Sequence, residues 1–213
     1  MYESCGLYGK SLLRKVHPDT GEVLLQYKFS DDIFAEGIAV LKTDSTEYIH
    51  VLTWKNSKLF VFDPSNLSLI STHFYNTFTG EGWGMTQDPI NNILIISDGS
   101  NKLGQFQPPS YYSENSELNK LKQVSIFYNE SPLNDINELE YAHGYVYANI
   151  WYQNIVVKIN ASDGTIVNIY DLSQLYYPRD RHADCLNGIA YNESDDVFVL
   201  TGKLWPKYYV VKL

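Results

Sequence analysis

The chain has 213 residues, 44% of them apolar and 15% aromatic, with 25 acidic against 16 basic side chains and a formal net charge of −9. That length supports one substantial core, and a single domain over 1–213 is expected. The acidic balance repels a phosphate backbone and excludes nucleic acid as a partner, while no apolar run approaches the ~18 residues of a membrane-spanning segment.

The chain repeats a strand pattern from its start. Y-E-S-C-G-L-Y-G opens it at 2–9, and L-R-K-V-H-P-D-T-G follows at 13–21 as a short apolar strand running into a polar turn. The same strand-then-turn recurs at 58–65, 103–110 and 155–164, and its strand alone at 208–213. Asp19, Asp63, Gln107, Asn160 and Lys212 fall 44, 44, 53 and 52 residues apart, the period of a β-propeller with several strands per blade. Second strands are expected at 48–54, 92–97, 145–151 and 197–201, preceded by innermost strands at 36–41, 83–86, 137–140 and 187–191. Outer strands are expected at 23–29, 69–75, 124–128 and 166–171. Period-2 alternation is plain in V-L-L-Q-Y-K-F, and 18 Tyr suit pleated surfaces. Glu114–Lys122 is the only stretch that could form a helical turn or two.

The fold class is therefore all-β, a five-bladed propeller. The first unit begins at a string that matches the second strand of later units, so its innermost strand is expected to be missing, as in an N-terminally truncated chain. The last unit ends after its third strand, and closing the ring is expected to make the first and last blades share strands, because unpaired edges are a liability.

Seven strings fall at strand edges: F-A-E-G (34–37), L-T-W-K (52–55), G-W-G-M (82–85), N-E-L-E (137–140), A-N-I-W (148–151), L-N-G-I-A-Y (186–191) and T-G-K-L-W-P (201–206). Separate strands that bring Glu, Asn, Lys and Trp to one rim build an aromatic pocket with a few polar groups, the usual composition of a small-ligand site. By residue type alone, Glu36 is a solvated turn residue, Lys203 a surface charge, Asn137 a turn former, and the tryptophans gap fillers between blades. Trp205 is assigned that filling role. Glu138 and Glu140 flank an innermost strand, and one of them could face the tunnel. S-D-G-S at 97–100 reads as a tight turn capped by Asp98, and R-D-R-H-A-D at 179–184 as a solvated loop. Cys5 and Cys185 could pair if the first and last segments adjoin, with buried free thiols as the default. The five His share no ligand spacing. Four Asn-x-Ser sequons begin at Asn66, Asn129, Asn160 and Asn192, a number that an Asn-rich chain also yields by chance.

These strings, with Y-E-S-x-G-L-Y-G-K-S-x-L-R and S-D-G-S, occur in an order that resembles the plant and bacterial glutaminyl cyclases (glutamine cyclotransferases) over nearly the whole chain. The resemblance implies a five-bladed propeller that converts N-terminal Gln of peptides and proteins to pyroglutamate with release of ammonia. It implies Glu36 as the acid/base group, Asn137 and Lys203 as polar catalytic groups, and Phe34, Trp54, Trp83 and Trp151 as substrate walls. The family's Phe-Thr-Gln-Gly string upstream of Y-E-S has no counterpart in these residues. No cofactor or metal is required for the reaction, although a structural ion in the tunnel, held by backbone carbonyls, would leave no sequence trace. A monomer acting on Gln-initiated peptides is the expectation. Two rivals stay open on the residues: a propeller that binds peptide N-termini without turnover, and a metal-dependent hydrolase of the lactonase-like type.

Overall fold

Five antiparallel sheets stand side by side around one axis in the computed structural model, which describes residues 1–42, 46–110 and 114–213. The first holds β1 (Tyr2–Cys5), β2 (Leu12–Val16) and β3 (Val23–Lys28). The second holds β4 (Ala35–Lys42), β5 (Glu47–Thr53), β6 (Lys58–Phe62) and β7 (Leu69–Phe74). The third holds β8 (Met85–Asp88), β9 (Ile93–Ser97), β10 (Lys102–Phe106) and β11 (Lys120–Ser125), followed by a small ribbon of β12 (Phe127–Tyr128) and β13 (Ser131–Pro132). The fourth holds β14 (Ile136–Ala142), β15 (Tyr145–Ile150), β16 (Ile155–Ile159) and β17 (Ile166–Asp171). The fifth holds β18 (Leu186–Asn192), β19 (Val197–Gly202) and β20 (Tyr209–Val211). β4 packs beside β8, β8 beside β14 and β14 beside β18, so these are the innermost strands. The arrangement is a five-bladed β-propeller.

Each of four gaps between neighbouring sheets is filled by its own apolar cluster. Leu13, Phe29, Ile49 and Phe62 join the first sheet to the second, and Leu59, Met85, Leu94 and Phe106 join the second to the third. Leu103, Val124, Ile136 and Val157 fill the next gap, and Tyr147, Val156, Leu186 and Phe198 the last of the four. Every side chain named is at most 6% exposed, so burial between blades, rather than within any one sheet, supplies the main driving force.

The first sheet has three strands. Cys5 pairs with Leu12 as Leu52 pairs with Leu59, which gives β1 the place of a second strand. The first and fifth sheets do not share strands, contrary to expectation; among the described residues they meet through side chains. Tyr208 Oη donates to Glu3 Oε2 at 2.8 Å, and Glu3 Oε1 lies 3.0 Å from Arg14 Nε. The turn open to Glu114–Lys122 is confined to Glu114 and Asn115; beyond it Glu117 bridges in parallel to Phe74, Leu118 is buried in the apolar cluster between the second and third sheets, and Lys120 opens β11. Gln105 and Phe106 carry a register shift where β11 joins β10. Cys5 and Cys185 are free thiols.

Candidate active site

One irregularity recurs in three innermost strands and gathers the site residues. Pairing shifts register between Ala35 and Ile38, between Ile136 and Leu139, and between Leu186 and Ile189. Each shift is a β-bulge, which re-aims the side chains it carries. The bulged pairs are Glu36–Gly37, Asn137–Glu138 and Asn187–Gly188. In the third sheet Met85 faces Ile96 as Ile38 faces Val51, which puts Trp83–Gly84 at the equivalent place. Four blades therefore present Glu36, Trp83, Asn137 and Asn187 from matching positions at one end of the propeller.

The facing second strands supply another matched set. Three residues beyond Val51, Ile96, Ala148 and Leu200 stand Trp54, Gly99, Trp151 and Lys203. Main-chain bonds tie them down: Trp54 N donates to Phe34 O, Trp151 N to Asp135 O and Lys203 N to Cys185 O, all within 2.8–2.9 Å. The innermost strands approach each other closely here. A Cβ on Gly84 would lie 2.1 Å from the Asn137 carbonyl, so no other residue fits without moving the backbone.

The aromatic side chains form two linked groups. Phe34 meets Trp54 edge-on with centroids 5.5 Å apart, and Tyr8 adds a ring 5.3 Å from Phe34 and 6.4 Å from Trp54. Trp83 meets Trp151 edge-on at 5.3 Å, and Tyr152 extends that group at 4.7 Å. Both Trp54 Nε1 and Trp83 Nε1 donate to Glu81 Oε2, at 2.8 and 2.9 Å, joining the two groups. Phe34, Trp54, Trp83 and Trp151 therefore come together as the strings suggested.

Glu36 lies among protein atoms, with its backbone carbonyl accepting from Ser4 Oγ of the first sheet. Burial pushes its carboxyl up to about 7; the Lys203 ammonium pulls against that and the Glu81 carboxylate adds to it. A carboxyl poised there can both take and give a proton at neutral pH. Glu138 is held well above the ordinary range by burial, with the charges of Glu36 and Glu140 adding to the effect. Glu140 is pushed up to about 8 by burial, partly offset by a 3.2 Å hydrogen bond from Tyr191 N. Asn137 is 4% exposed, and its Oδ1 has no hydrogen-bond partner. Asn149 Oδ1 accepts from Gly188 N at 2.9 Å, while Asn149 Nδ2 and Asn187 Nδ2 have no partner. Buried amide groups without partners are rare, and these three lie at the same end of the propeller as the raised Glu36 carboxyl, which suits a site that awaits a polar ligand.

Four of these residues escaped the sequence reading. Glu81 precedes G-W-G-M by one position, Tyr8 sits in the opening string, and Asn149 and Asn187 sit inside strings chosen for other letters. The turn at 97–100 forms as expected: Asp98 Oδ1 accepts from Ser100 N at 3.1 Å, and Asp98 Oδ2 also accepts from Thr79 N at 3.0 Å. Trp205 is structural, donating Nε1 to Asp184 O at 2.8 Å and packing on Tyr176. The 179–184 segment is less free than expected. Arg179 donates to Asp184 O and Asn154 Oδ1 and lies 5.0 Å from the Trp205 ring centroid, because a guanidinium satisfies several acceptors at once.

Fold and site together define a β-propeller with an aromatic, acid-bearing mouth. The glutamine cyclotransferase family profile matches residues 1–213, and the chain belongs to that family. It is 32% identical over 217 residues to a glutaminyl-peptide cyclotransferase of Arabidopsis thaliana, an alignment covering 100% of this chain and 63% of that relative. The chain thus spans less than two thirds of the relative's length. The crystal structure of Myxococcus xanthus glutaminyl cyclase superposes with a TM-score of 0.82 at 29% identity, covering 98% of this chain and 84% of that one. The β-propeller domain of Cps50 (Swd1) from Myceliophteria thermophila, at 13% identity, TM-score 0.53 and coverages of 94% and 63%, shares the fold alone.

Proposed function

We propose that this chain cyclises N-terminal glutamine of peptides and proteins to pyroglutamate, releasing ammonia. The observation that carries the reading is the Glu36 carboxyl, pushed up to about 7 between Lys203 and Glu81 at a mouth lined by Trp54, Trp83 and Trp151. In the reaction the α-amine attacks the γ-carboxamide carbon, a C–N bond forms, and the carbonyl oxygen becomes an oxyanion. Glu36 takes a proton from the attacking nitrogen and returns it to the amide nitrogen, which leaves as ammonia when its C–N bond breaks. The amine itself needs little help, since its free pKa of about 7.7–8.0 leaves a neutral fraction at pH 7. Lys203 and an amide N–H of the asparagine group are suited to the oxyanion; a donor of this kind typically contributes about 100-fold in rate. The aromatic walls, with Phe34 beside Trp54, would hold the substrate folded so that amine and carbonyl stay near attack distance.

The test is direct. A Gln-initiated dipeptide incubated with the protein should release ammonia and leave a pyroglutamyl product, with no change on adding chelator. Binding without release would overturn the catalytic reading, and loss of activity on chelation would favour metal-assisted hydrolysis.

A further inference from the structure

Glu81 has no step of its own in the reaction above, yet its carboxylate reaches three side chains, Trp54, Trp83 and Lys55. Its main chain is fixed on both sides. Thr77 Oγ1 donates to Glu81 O at 2.6 Å, Glu81 N donates to Thr79 Oγ1 at 3.2 Å, and Gly82 N donates to Trp54 O at 2.9 Å. Thr79 is in turn anchored to Asp98 through its amide and its hydroxyl, at 3.0 and 2.9 Å. The loop therefore delivers the carboxylate to one place.

There Oε2 accepts both indole N–H groups, from a residue after β5 and from one before β8. Oε1 lies 3.7 Å from Lys55 Nζ, which itself sits 3.9 Å from the Trp54 ring centroid. A lone partly buried indole is satisfied by any carbonyl. A single oxygen shared by indoles from two blades does more, because it fixes the angle between them. Trp54 carries Phe34 and Tyr8 with it, and Trp83 carries Trp151. Five rings are thus referenced to one carboxylate. We propose that Glu81 is a positioning residue of the cyclisation site, holding Trp54 and Trp83 as a rigid pair. The catalytic half of this rests on the cyclotransferase reading; the structural half does not.

Titratable groups on several elements bear on Glu36. Lys203 from the fifth sheet favours the carboxylate and Glu81 from the 75–84 loop opposes it, while Glu138 on β14 is itself raised, by burial first and then by the Glu36 charge. Tyr75, at the start of that loop, is neutral, its phenol held up by burial and bonded to Thr53 O.

Two variants separate the roles. Glu81→Ala removes the acceptor: iodide quenching of tryptophan emission should rise about twofold, and KM for a Gln-initiated dipeptide about tenfold, with kcat changed less. Glu81→Gln keeps an acceptor oxygen and removes the charge, so quenching should stay near wild type while the acid limb of the kcat/KM profile moves to lower pH. Wild-type quenching and KM in Glu81→Ala would overturn the proposal. Quenching in Glu81→Gln equal to that of Glu81→Ala would overturn it equally. If the wild-type protein releases no ammonia, the functional reading fails, and the quenching measurements alone still decide whether Glu81 holds the two rings.

Discussion

The Trp83 indole lies against the α-carbon of Gly99, where a Cβ would fall 2.5 Å from the ring. Gly99 occupies the position that Trp54, Trp151 and Lys203 hold in other blades, so the third blade leaves a vacancy there and its own Trp83 ring fills it. Gly99 also has φ of +79°, a conformation that L side chains rarely adopt. Gly99→Ala is therefore expected to destabilise the fold by about 1–3 kcal/mol, from strain and overpacking together. It should also lower kcat/KM by moving Trp83. Urea denaturation read beside dipeptide turnover checks both, and wild-type stability would show that the ring has somewhere else to go.

Glu36→Gln separates chemistry from folding. Turnover should fall by about 100-fold or more, the usual contribution of a positioned acid/base group. Stability should move the other way. The Glu36 carboxyl is pushed up to about 7 from an ordinary 4.5, chiefly by burial. Below pH 4.5 it is protonated folded and unfolded, and the burial of charge costs nothing. Between 4.5 and 7 the unfolded chain ionises first, so folding loses stability as pH rises, and above 7 the loss is complete. The amide never ionises. Glu36→Gln should thus melt at or above the wild-type temperature at pH 8, with the difference shrinking toward pH 4.5. A lower melting temperature at pH 8 would make Glu36 a structural residue.

Lys203→Met should shift the pH profile opposite to Glu81→Gln. The ammonium of Lys203 lowers the Glu36 pKa, whereas the Glu81 carboxylate raises it. Removing the ammonium should carry the acid limb of kcat/KM to higher pH, and removing the carboxylate should carry it to lower pH. A shared direction in the two variants would mean that the limb reports another group, such as the substrate amine.

The blade count was legible because a 44-residue spacing and paired strand signals survive in the letters themselves. Glu36, Asn137 and Lys203 were singled out through the family resemblance of their strings; the bulges set Glu36 and Asn137, with Asn187, at the same kinked position of innermost strands, and Lys203 follows the end of a facing second strand. What the letters conceal is convergence. Nothing around Glu81 in G-E-G-W tells that its carboxylate reaches an indole brought by Trp54 from 27 residues earlier. Asn149 and Asn187 read as strand residues like their neighbours until Gly188 N is seen donating to Asn149 Oδ1, a contact between two blades. The letters place Glu138 and Glu140 beside an innermost strand with one of them open to the tunnel, and the packing of β14 against β8 and β18 half-buries both and raises both carboxyls.

Among the described residues, the fifth gap of the ring is bridged differently from the other four, and Glu3 is the test of it. Four gaps are filled by apolar clusters, whereas Glu3 joins the first sheet to the fifth by accepting from Tyr208 Oη at 2.8 Å while holding Arg14 at 3.0 Å. Arg14 also reaches Cys5 Sγ at 2.9 Å, so losing Glu3 leaves a guanidinium and a phenol partly buried without their carboxylate. Hydrogen bonds to charged groups contribute about 1.5–3 kcal/mol when buried, and partial exposure here reduces that. Glu3→Ala should cost about 1–2 kcal/mol and lower the melting temperature, whereas Asp31→Ala, which breaks the exposed pair with Lys28, should change it little. In a double-mutant cycle Glu3→Ala and Tyr208→Phe should be less than additive, because each removes the same bond. Full additivity would mean that the two ends of the ring are held by something other than this contact.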